Sequence, residues 1–171
     1  MKLYLMRHGP AEEHAESGID SDRALTAAGR ARVRGVAKLL LDATEAPVHI
    51  VTSPLVRAVQ TAEIVAIGAQ AGGGSATVEA RRDLEPGSDM ALLAKRLGAE
   101  GGKRLMLVGH EPDLSTLGAT LVSTFASVVR SFDKAMVVGF HLPLDGGPAH
   151  IRFVVDPKAL RLELVGDRRG P

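Results

Sequence analysis

The stretch LYLMRHGP at residues 3–10 begins as a short apolar run and ends abruptly in charged and turn-forming residues. A run of this length closed by glycine and proline is typical of a buried β-strand that leads into a loop. The pattern recurs where the apolar run Val48–Thr52 meets Ser53-Pro54, and where Leu105–Val108 meets Gly109-His110. The sequence therefore predicts three buried strands that each end in polar residues.

Stretches with helical periodicity separate these strands. The predicted helices are 27–43 with Thr26 as N-cap, a helix from Ser53-Pro54 to about Ile67, one that opens at Ser88, contains Leu97 and ends at Gly101-Gly102, and one from Pro112-Asp113 to about Val122. Further strands are predicted at Thr77–Ala80, Ala135–Leu142 and Ile151–Val155, the last two as a hairpin. Strands that alternate with helices predict an α/β fold, a three-layer sandwich whose mainly parallel central sheet is flanked by helices.

The 171 residues fit one domain, predicted over 1–166, with a short frayed tail at 167–171. Residues 11–23 form a long polar loop, and Gly68–Ala76 is expected to be a flexible surface connection, since neither side could build a core alone.

The composition excludes several classes of function. The chain has no cysteine, which rules out disulfides, cysteine-ligated metals and thiol catalysis. A net charge of +1, 3% aromatic residues and no tryptophan give no indication of nucleic-acid or membrane binding. No segment approaches the ~20 apolar residues that span a bilayer. We expect a cytoplasmic protein.

Each of the three predicted strands is followed by arginine or histidine. These residues are Arg7 and His8 after the first strand, Arg57 after the second and His110 after the third. Ligands of parallel sheets collect outside the carboxyl ends of the strands, so these side chains are expected to converge there. Two arginines and two histidines would form a positive pocket suited to a phosphoryl group, without a metal or other cofactor. The remaining histidines and the exposed helix arginines receive no role; they are His14, His49, His141, His150, Arg30, Arg32 and Arg34.

Each side chain of this pocket has a chemical use. Arg7 and Arg57 offer planar forks that bind phosphate oxygens in pairs. A neutral imidazole nitrogen of His8 can attack phosphorus if its other nitrogen is fixed by an acceptor such as a backbone carbonyl. A ring nitrogen of His110 can stabilise the phosphoryl oxygens during in-line transfer.

The combined motifs resemble the histidine phosphatase superfamily, also called phosphoglycerate mutase-like, and in particular its short bacterial SixA-type phosphohistidine phosphatase branch. They are LMRHG at residues 5–9, LTAAG at 25–29, SPLVRAVQTA at 53–62 and VGHEP at 108–112, with the lead-in DSDRALT at 20–26. The resemblance implies that His8 is the phosphorylated nucleophile and that Arg7, Arg57 and His110 complete the phosphate pocket. Arg23 matches a lead-in arginine that contacts phosphate or substrate, although a surface arginine is an equal alternative.

The resemblance leaves the general acid open. Many relatives carry an acidic residue on the segment that corresponds to 82–88, where Asp83 and Glu85 are candidates, but DLEPG at 83–87 is closer to the SixA-like pattern. An acid from the loop after His8 also stays open. Imidazole has a pKa of ~6.5 and leaves more easily than an alkoxide, so a pocket without an acid favours P–N bonds.

We therefore expect a metal-independent phosphatase that removes phosphate from phosphohistidine on a protein, such as a phosphotransfer domain or carrier. Inorganic phosphate and vanadate are expected as ligands of the same pocket. Two alternatives stay open: a small-molecule phosphomonoesterase that uses Glu85 or Asp83 as general acid, and a catalytically idle phospho-binding module.

Overall fold

A seven-stranded mixed sheet forms the centre of the computed structural model, which describes residues 1–93, 104–143 and 147–166. The strands are β1 (Lys2–Arg7), β2 (His49–Thr52), β3 (Thr77–Ala80), β4 (Arg104–Gly109), β5 (Val137–His141), β6 (His150–Asp156) and β7 (Arg161–Leu164). Their order is β3-β2-β4-β1-β5-β6-β7. The first four strands in that order are parallel, and β5, β6 and β7 continue the sheet by antiparallel pairing.

Helices cover both faces of the sheet, as the three-layer prediction requires. The helices are α1 (Ala27–Asp42), α2 (Val56–Ala71), helical residues 90–93, α3 (Asp113–Leu121) and α4 (Phe125–Val128), with 3-10 turns at Asp20–Asp22 and Arg82–Leu84. The predicted fold class is confirmed. Within the described part of the chain, no helix is long and apolar enough to cross a membrane.

β1 lies at the centre of the sheet and separates two apolar cores. Tyr4 and Met6 face the core beneath α1 and α2, whereas Leu3 and Leu5 face the core beneath α3 and α4. All four side chains are fully buried. Successive side chains of a strand point to opposite faces of the sheet, which explains this alternation. The run at residues 3–6 is apolar throughout because both faces of β1 are buried. This packing fixes the carboxyl end of β1, where Arg7 and His8 lie.

Several predicted boundaries are confirmed, and one cap is wrong. Thr26 caps α1, since its Oγ1 accepts a hydrogen bond of 2.9 Å from the amide of Gly29. The second helix begins at Val56 rather than at Pro54, with Leu55 as its N-cap, so Ser53 does not cap it. Instead Ser53 continues the strand direction, and its amide donates to the carbonyl of Val108. Arg57 still lies in the first turn of α2.

The expected connection Gly68–Ala76 is shorter than predicted because α2 continues to Ala71 rather than ending at Ile67. Gly68 lies inside this helix at its close approach to α1. A Cβ there would lie 2.9 Å from the Cβ of Ala37, so the glycine serves helix packing rather than a turn. The helix predicted from Ser88 begins at residue 90.

Asp89 caps this helix, because its Oδ1 accepts from the amides of Ala91 and Leu92. The predicted helix position Leu97, its end at Gly101-Gly102 and the tail 167–171 lie outside the described residues. The single domain over 1–166 stays a prediction. α4 and β7 were not predicted from the sequence.

Candidate active site

The carboxyl ends of β1, β2 and β4 bring the predicted site residues to one edge of the sheet. Arg7 is paired with Gly109 in the parallel register of β1 and β4. The amide of His8 donates to the carbonyl of Gly109 at 3.2 Å, which places His8 beside His110. The convergence expected from the sequence is therefore observed for these strand ends.

His8 is buried and held by its own backbone. Its Nδ1 lies 2.7 Å from the carbonyl oxygen of Gly9, and only a protonated Nδ1 can donate to a carbonyl. The lone pair of the neutral ring is then on Nε2. The ring centroid lies 5.2 Å from that of His110, with the planes tilted by 54°. The expected backbone acceptor for the second nitrogen is thus present, and Nε2 keeps the lone pair that the predicted nucleophilic role requires.

Burial and positive charge keep both rings neutral. Burial is the main reason that the pKa of His8 falls from 6.5 to about 3, and the charges of Arg57 and Arg7 lower the same pKa further. Burial likewise lowers the pKa of His110 to about 4, with Arg57 next in effect. The hydrogen bond to Gly9 opposes the shift of His8 without cancelling it. Both rings are neutral at ordinary pH, as the predicted roles of nucleophile for His8 and neutral hydrogen-bond donor for His110 require.

Arg7 and Arg57 are each held at Nη1 by a backbone carbonyl. Nη1 of Arg7 donates to the carbonyl of Phe132 at 2.6 Å, and Nη1 of Arg57 donates to the carbonyl of Asp20 at 2.8 Å. In the part of the chain that the structure describes, Nε of each arginine is buried without a hydrogen-bond partner, and so is Nε2 of His110. Buried donors without partners are costly, so three of them beside His8 indicate a site built for an anion.

Thr61 is a residue of this site that the sequence analysis quoted within a motif but gave no role. Its buried hydroxyl donates to the carbonyl of Arg57 at 2.7 Å and accepts from the amide of Gly9 at 3.0 Å. It therefore links the backbone beside His8 to the first turn of α2. Substitution of Gly9 would disturb this link, because a Cβ there would lie 2.7 Å from Cγ2 of Val33.

Glu111 holds the segment that anchors Arg7. Its Oε1 accepts a hydrogen bond from the amide of Phe132 at 2.5 Å, and the carbonyl of Phe132 accepts one from Nη1 of Arg7. Ser115 completes the arrangement, with its hydroxyl 2.7 Å from Oε1 and its amide 3.1 Å from Oε2. Glu111 is next to His110 in the chain, so one short segment positions both His110 and the anchor of Arg7. Sequence reasoning missed this contact.

Residues 11–23 pack against the site through Asp20. Its carboxylate lies 3.0 Å from Nη2 of Arg57 and 2.8 Å from Nε of Arg23. Arg23 also donates to the carbonyl of Glu12 at 3.1 Å. The structure thus brings Arg23 to the edge of the pocket through a carboxylate that it shares with Arg57. Its contact with phosphate or substrate stays a prediction.

The two candidate acids differ in their surroundings. Asp83 receives two hydrogen bonds from Arg81, at 3.0 and 2.9 Å, which favour the ionised carboxylate over a proton donor. Glu85 is half-buried at the end of the 3-10 turn at Arg82–Leu84. This turn follows β3 at the same edge of the sheet, and the amide of Gly87 donates to Asp113 at the start of α3. The role of either carboxylate as general acid stays a prediction.

The other histidines lie away from the pocket. His49 opens β2 and pairs with Glu79, whereas His141 and His150 stack on each other at 5.0 Å on the β5–β6 hairpin. His14 is exposed in the loop. In the described part of the chain, no cluster of three His, Asp or Glu side chains is arranged to hold a metal ion.

Comparisons with known proteins agree with this geometry. The family model of the histidine phosphatase superfamily (branch 1) matches residues 3–85, which include Arg7, His8 and Arg57. The protein histidine phosphatase SixA in complex with tungstate superposes with a TM-score of 0.81 and 26% identity, over 94% of this chain and all of that one. A protein named SixA from Agrobacterium tumefaciens superposes with a TM-score of 0.78 at 19% identity, over 91% and 97% of the two chains.

Sequence relatives are less informative about activity. An uncharacterised protein of Picosynechococcus sp. (strain ATCC 27264 / PCC 7002 / PR-6) is 36% identical over 159 residues, 91% of this chain and 92% of the relative. A protein named probable phosphoglycerate mutase GpmB, from Klebsiella pneumoniae (strain 342), is 38% identical over 130 residues. That match covers 66% of this chain and 52% of GpmB, so the chain spans about half of that relative. The family model, the fold and the SixA likeness support a phosphatase, and the chain belongs to the histidine phosphatase superfamily.

Proposed function

We propose that this phosphatase removes the phosphoryl group from phosphohistidine on a protein, through a covalent intermediate on His8. The observation that carries the proposal is the ring of buried, unpartnered donors around a neutral histidine. Nε of Arg7, Nε of Arg57 and Nε2 of His110 lack partners among the described residues, and Nε2 of His8 carries the free lone pair. A phosphoryl group supplies the oxygens for the donors and the phosphorus for the nucleophile.

The reaction has two in-line displacements at phosphorus. In the first, Nε2 of His8 attacks, the P–N bond of the substrate breaks, and its electron pair stays on the departing imidazole. In the second, water attacks the phosphoryl group on His8, the new P–N bond breaks, and the electron pair returns to Nε2. The water proton passes to solvent, and inorganic phosphate leaves. Arg7, Arg57 and His110 stabilise the phosphoryl oxygens in both steps.

The low pKa of His8 suits the first displacement. An imidazole with a pKa of about 3 is neutral at any ordinary pH, so no proton has to leave before the attack. Phosphorylation then adds negative charge beside Arg7 and Arg57, which offsets the repulsion that these two cations exert on each other. The pocket therefore stabilises the intermediate rather than the free enzyme.

Two observations favour phosphohistidine over an ester. Asp83, one of the two candidate acids, is held as an ion pair by Arg81, which disfavours the proton transfer that an alkoxide requires. Imidazole is a better leaving group, with a pKa of ~6.5. The likeness to the tungstate complex of SixA, a protein histidine phosphatase, adds support at 26% identity.

The expected partner is a protein that carries phosphohistidine, such as a phosphotransfer domain or carrier, in the cytoplasm. Phosphate and vanadate are the expected small ligands of the pocket. We propose no nucleic-acid or membrane partner and no metal or other cofactor. Vanadate should inhibit competitively, and a chelator should leave the rate unchanged; inhibition by the chelator would contradict metal independence.

A second candidate is a small-molecule phosphomonoesterase, favoured by the similarity to GpmB, which is named as a probable phosphoglycerate mutase. In that case Glu85 is the general acid, because both carboxylate oxygens of Asp83 accept hydrogen bonds from Arg81. Ester hydrolysis should then collapse in Glu85→Ala. Glu79→Ala is the matched control, since this exposed glutamate lies on the preceding strand β3.

The test measures phosphate release by the wild type and by His8→Ala from a phosphohistidine protein and from p-nitrophenyl phosphate, with a chelator present. Strong preference for phosphohistidine, lost in His8→Ala, supports the proposal. Preference for the ester transfers the function to the second candidate. Binding of phosphate without turnover of either substrate would instead identify an idle phospho-binding module.

A further inference from the structure

Asp20 places a negative charge at the mouth of a positive pocket. Its carboxylate contacts both Arg57 and Arg23, at 3.0 and 2.8 Å. The Arg57 side chain is 6% exposed, whereas the Asp20 side chain is 67% exposed. The carboxylate therefore lies on the solvent side of the buried arginine, where a substrate must enter and a leaving group must depart.

Other observations agree with this position. Asp20 lies near enough to His110 to raise the pKa of that ring, against the larger effects of burial and Arg57. Hydrogen bonding to Arg57 lowers the pKa of Asp20 itself, so its carboxyl is ionised at neutral pH. A fixed carboxylate thus stands beside the phosphoryl site.

The two arginines of the phosphate site, Arg7 and Arg57, differ in the groups that anchor them. Arg7 is anchored by a neutral carbonyl, that of Phe132, and keeps its whole charge for the ligand. Arg57 is anchored by the carbonyl of Asp20 and also by its carboxylate. A carbonyl alone suffices to orient a guanidinium, as Arg7 shows, so the carboxylate adds something that orientation does not require.

On the basis of the proposed function, we propose that Asp20 determines specificity: it favours leaving groups that are cationic before departure and disfavours those that carry a carboxylate. Phosphohistidine protonated on its second ring nitrogen is of the favoured kind. When its P–N bond breaks, the electron pair stays on the ring, and the imidazole leaves neutral with the proton it already carries. This displacement needs no general acid. A phosphoglycerate, in contrast, would bring its own carboxylate towards Asp20.

The experiment compares kcat/KM for phosphohistidine, p-nitrophenyl phosphate and phosphoglycerate in the wild type and in Asp20→Asn. The amide keeps the size of the side chain and removes the charge. We expect the ratio of kcat/KM for phosphohistidine to that for phosphoglycerate to fall about fivefold, which corresponds to an interaction of about 1 kcal/mol between exposed charges. Asp22→Asn is the matched control, because Asp22 lies on the same turn and contacts Ser17 and Ser21 rather than an arginine.

Three outcomes would overturn the inference. An equal loss on all substrates means that Asp20 only orients Arg57, and an equal gain means that it only competes with phosphate for Arg57. A similar change of the ratio in Asp22→Asn would mean that the net charge of the loop is responsible.

Failure of the proposed function gives a different pattern. If the wild type does not act on phosphohistidine, the proposed function fails. The inference about Asp20 still predicts that the ratio of kcat/KM for phosphoglycerate to that for p-nitrophenyl phosphate rises in Asp20→Asn. If no substrate is turned over, the same variant should gain affinity for phosphoglycerate relative to inorganic phosphate by calorimetry. An unchanged relative affinity would overturn the inference. Thermal melts confirm that each variant is folded.

Discussion

The pocket has a half built by the sheet and a half completed by a loop. In the sheet half, His8 and His110 are buried at neighbouring strand ends, and Arg7 is anchored by the carbonyl of Phe132. In the loop half, Arg57 is anchored by Asp20, whose side chain is mostly exposed. Strand register and two apolar cores together fix the side-chain positions in the sheet half, whereas those in the loop half depend on a few polar contacts.

This difference assigns separate tasks to the two halves. The proposed nucleophile His8 and the donors on its side need positions that do not vary, and burial on both faces of β1 provides them. Contacts with the leaving group need adaptability, which an exposed polar loop provides. Substitutions in the sheet half should therefore reduce the rate on every substrate, and substitutions of Asp20 should change the choice between substrates.

The largest effect is expected at the nucleophile. His8→Ala should reduce turnover at least ~10⁴-fold, as loss of a covalent nucleophile typically does, while phosphate binding is partly kept by the remaining donors. Phosphate release and phosphate affinity are measured in parallel. His14→Ala, in the exposed loop, is the matched control and should behave as wild type. Appreciable turnover in His8→Ala would remove His8 from its assigned role.

The next effect is expected at Arg7. Arg7→Lys should reduce kcat/KM about 100-fold on every substrate, because a point charge cannot both keep the anchor at Phe132 and present a fork to the phosphoryl group. Steady-state kinetics on p-nitrophenyl phosphate measure the loss, with the exposed Arg34→Lys as control. Near-wild-type rates in Arg7→Lys would refute the fork argument.

A smaller effect is expected at Glu111, which acts through Phe132. Glu111→Gln should reduce kcat/KM about tenfold and weaken vanadate binding by a similar factor, since one of its two oxygens becomes a donor facing Ser115 or Phe132. Thr116→Ala, exposed on the helix α3 that follows Glu111, controls for general effects on α3. Loss of thermal stability without loss of vanadate affinity would limit Glu111 to a structural role.

A further effect concerns the pH dependence of stability rather than activity. The pKa of His8 is about 3 in the folded protein and near 6.5 when unfolded, so the unfolded chain takes up the proton first as the pH falls. The free energy of unfolding should therefore decrease below pH 6.5; the contribution of His8 to this loss should be about 2 kcal/mol at pH 5 and should level off below about pH 3. Urea titrations of wild type and His8→Asn measure it.

The pH-dependent loss should be smaller in His8→Asn, which has no ring to protonate. His14→Asn, at an exposed site, should keep the wild-type pH dependence. Equal pH dependence in wild type and His8→Asn would show that His8 titrates normally in the folded protein.

The sheet half of the pocket was largely predictable from the sequence. Apolar runs that stop at Arg7-His8 and at Gly109-His110 identify strand ends, and parallel strands place such ends at one edge. The backbone acceptor for Nδ1 of His8 was also expected, because a nucleophilic imidazole needs a fixed tautomer. These inferences succeed because they depend on local pattern and on topology alone.

The loop half and the supporting contacts were not predictable in this way. The partners Asp20 and Arg57 are 37 residues apart, and Phe132 and Glu111 are 21 residues apart. Such pairs depend on tertiary packing, and a polar loop has no periodicity to reveal them. The prediction that Ser53 caps α2 was wrong for a related reason. The amide of Ser53 donates to the carbonyl of Val108 in β4, so the chain stays extended there and α2 begins later.

Trapping the covalent intermediate tests directly whether His8 receives the phosphoryl group. Wild type is mixed rapidly with a phosphohistidine protein, quenched in alkali, under which phosphohistidine survives, and analysed by mass spectrometry of its peptides. We expect one added phosphoryl group on His8, absent from His8→Ala. A phosphoryl group on another side chain of the wild type, or sustained turnover by His8→Ala, would contradict it.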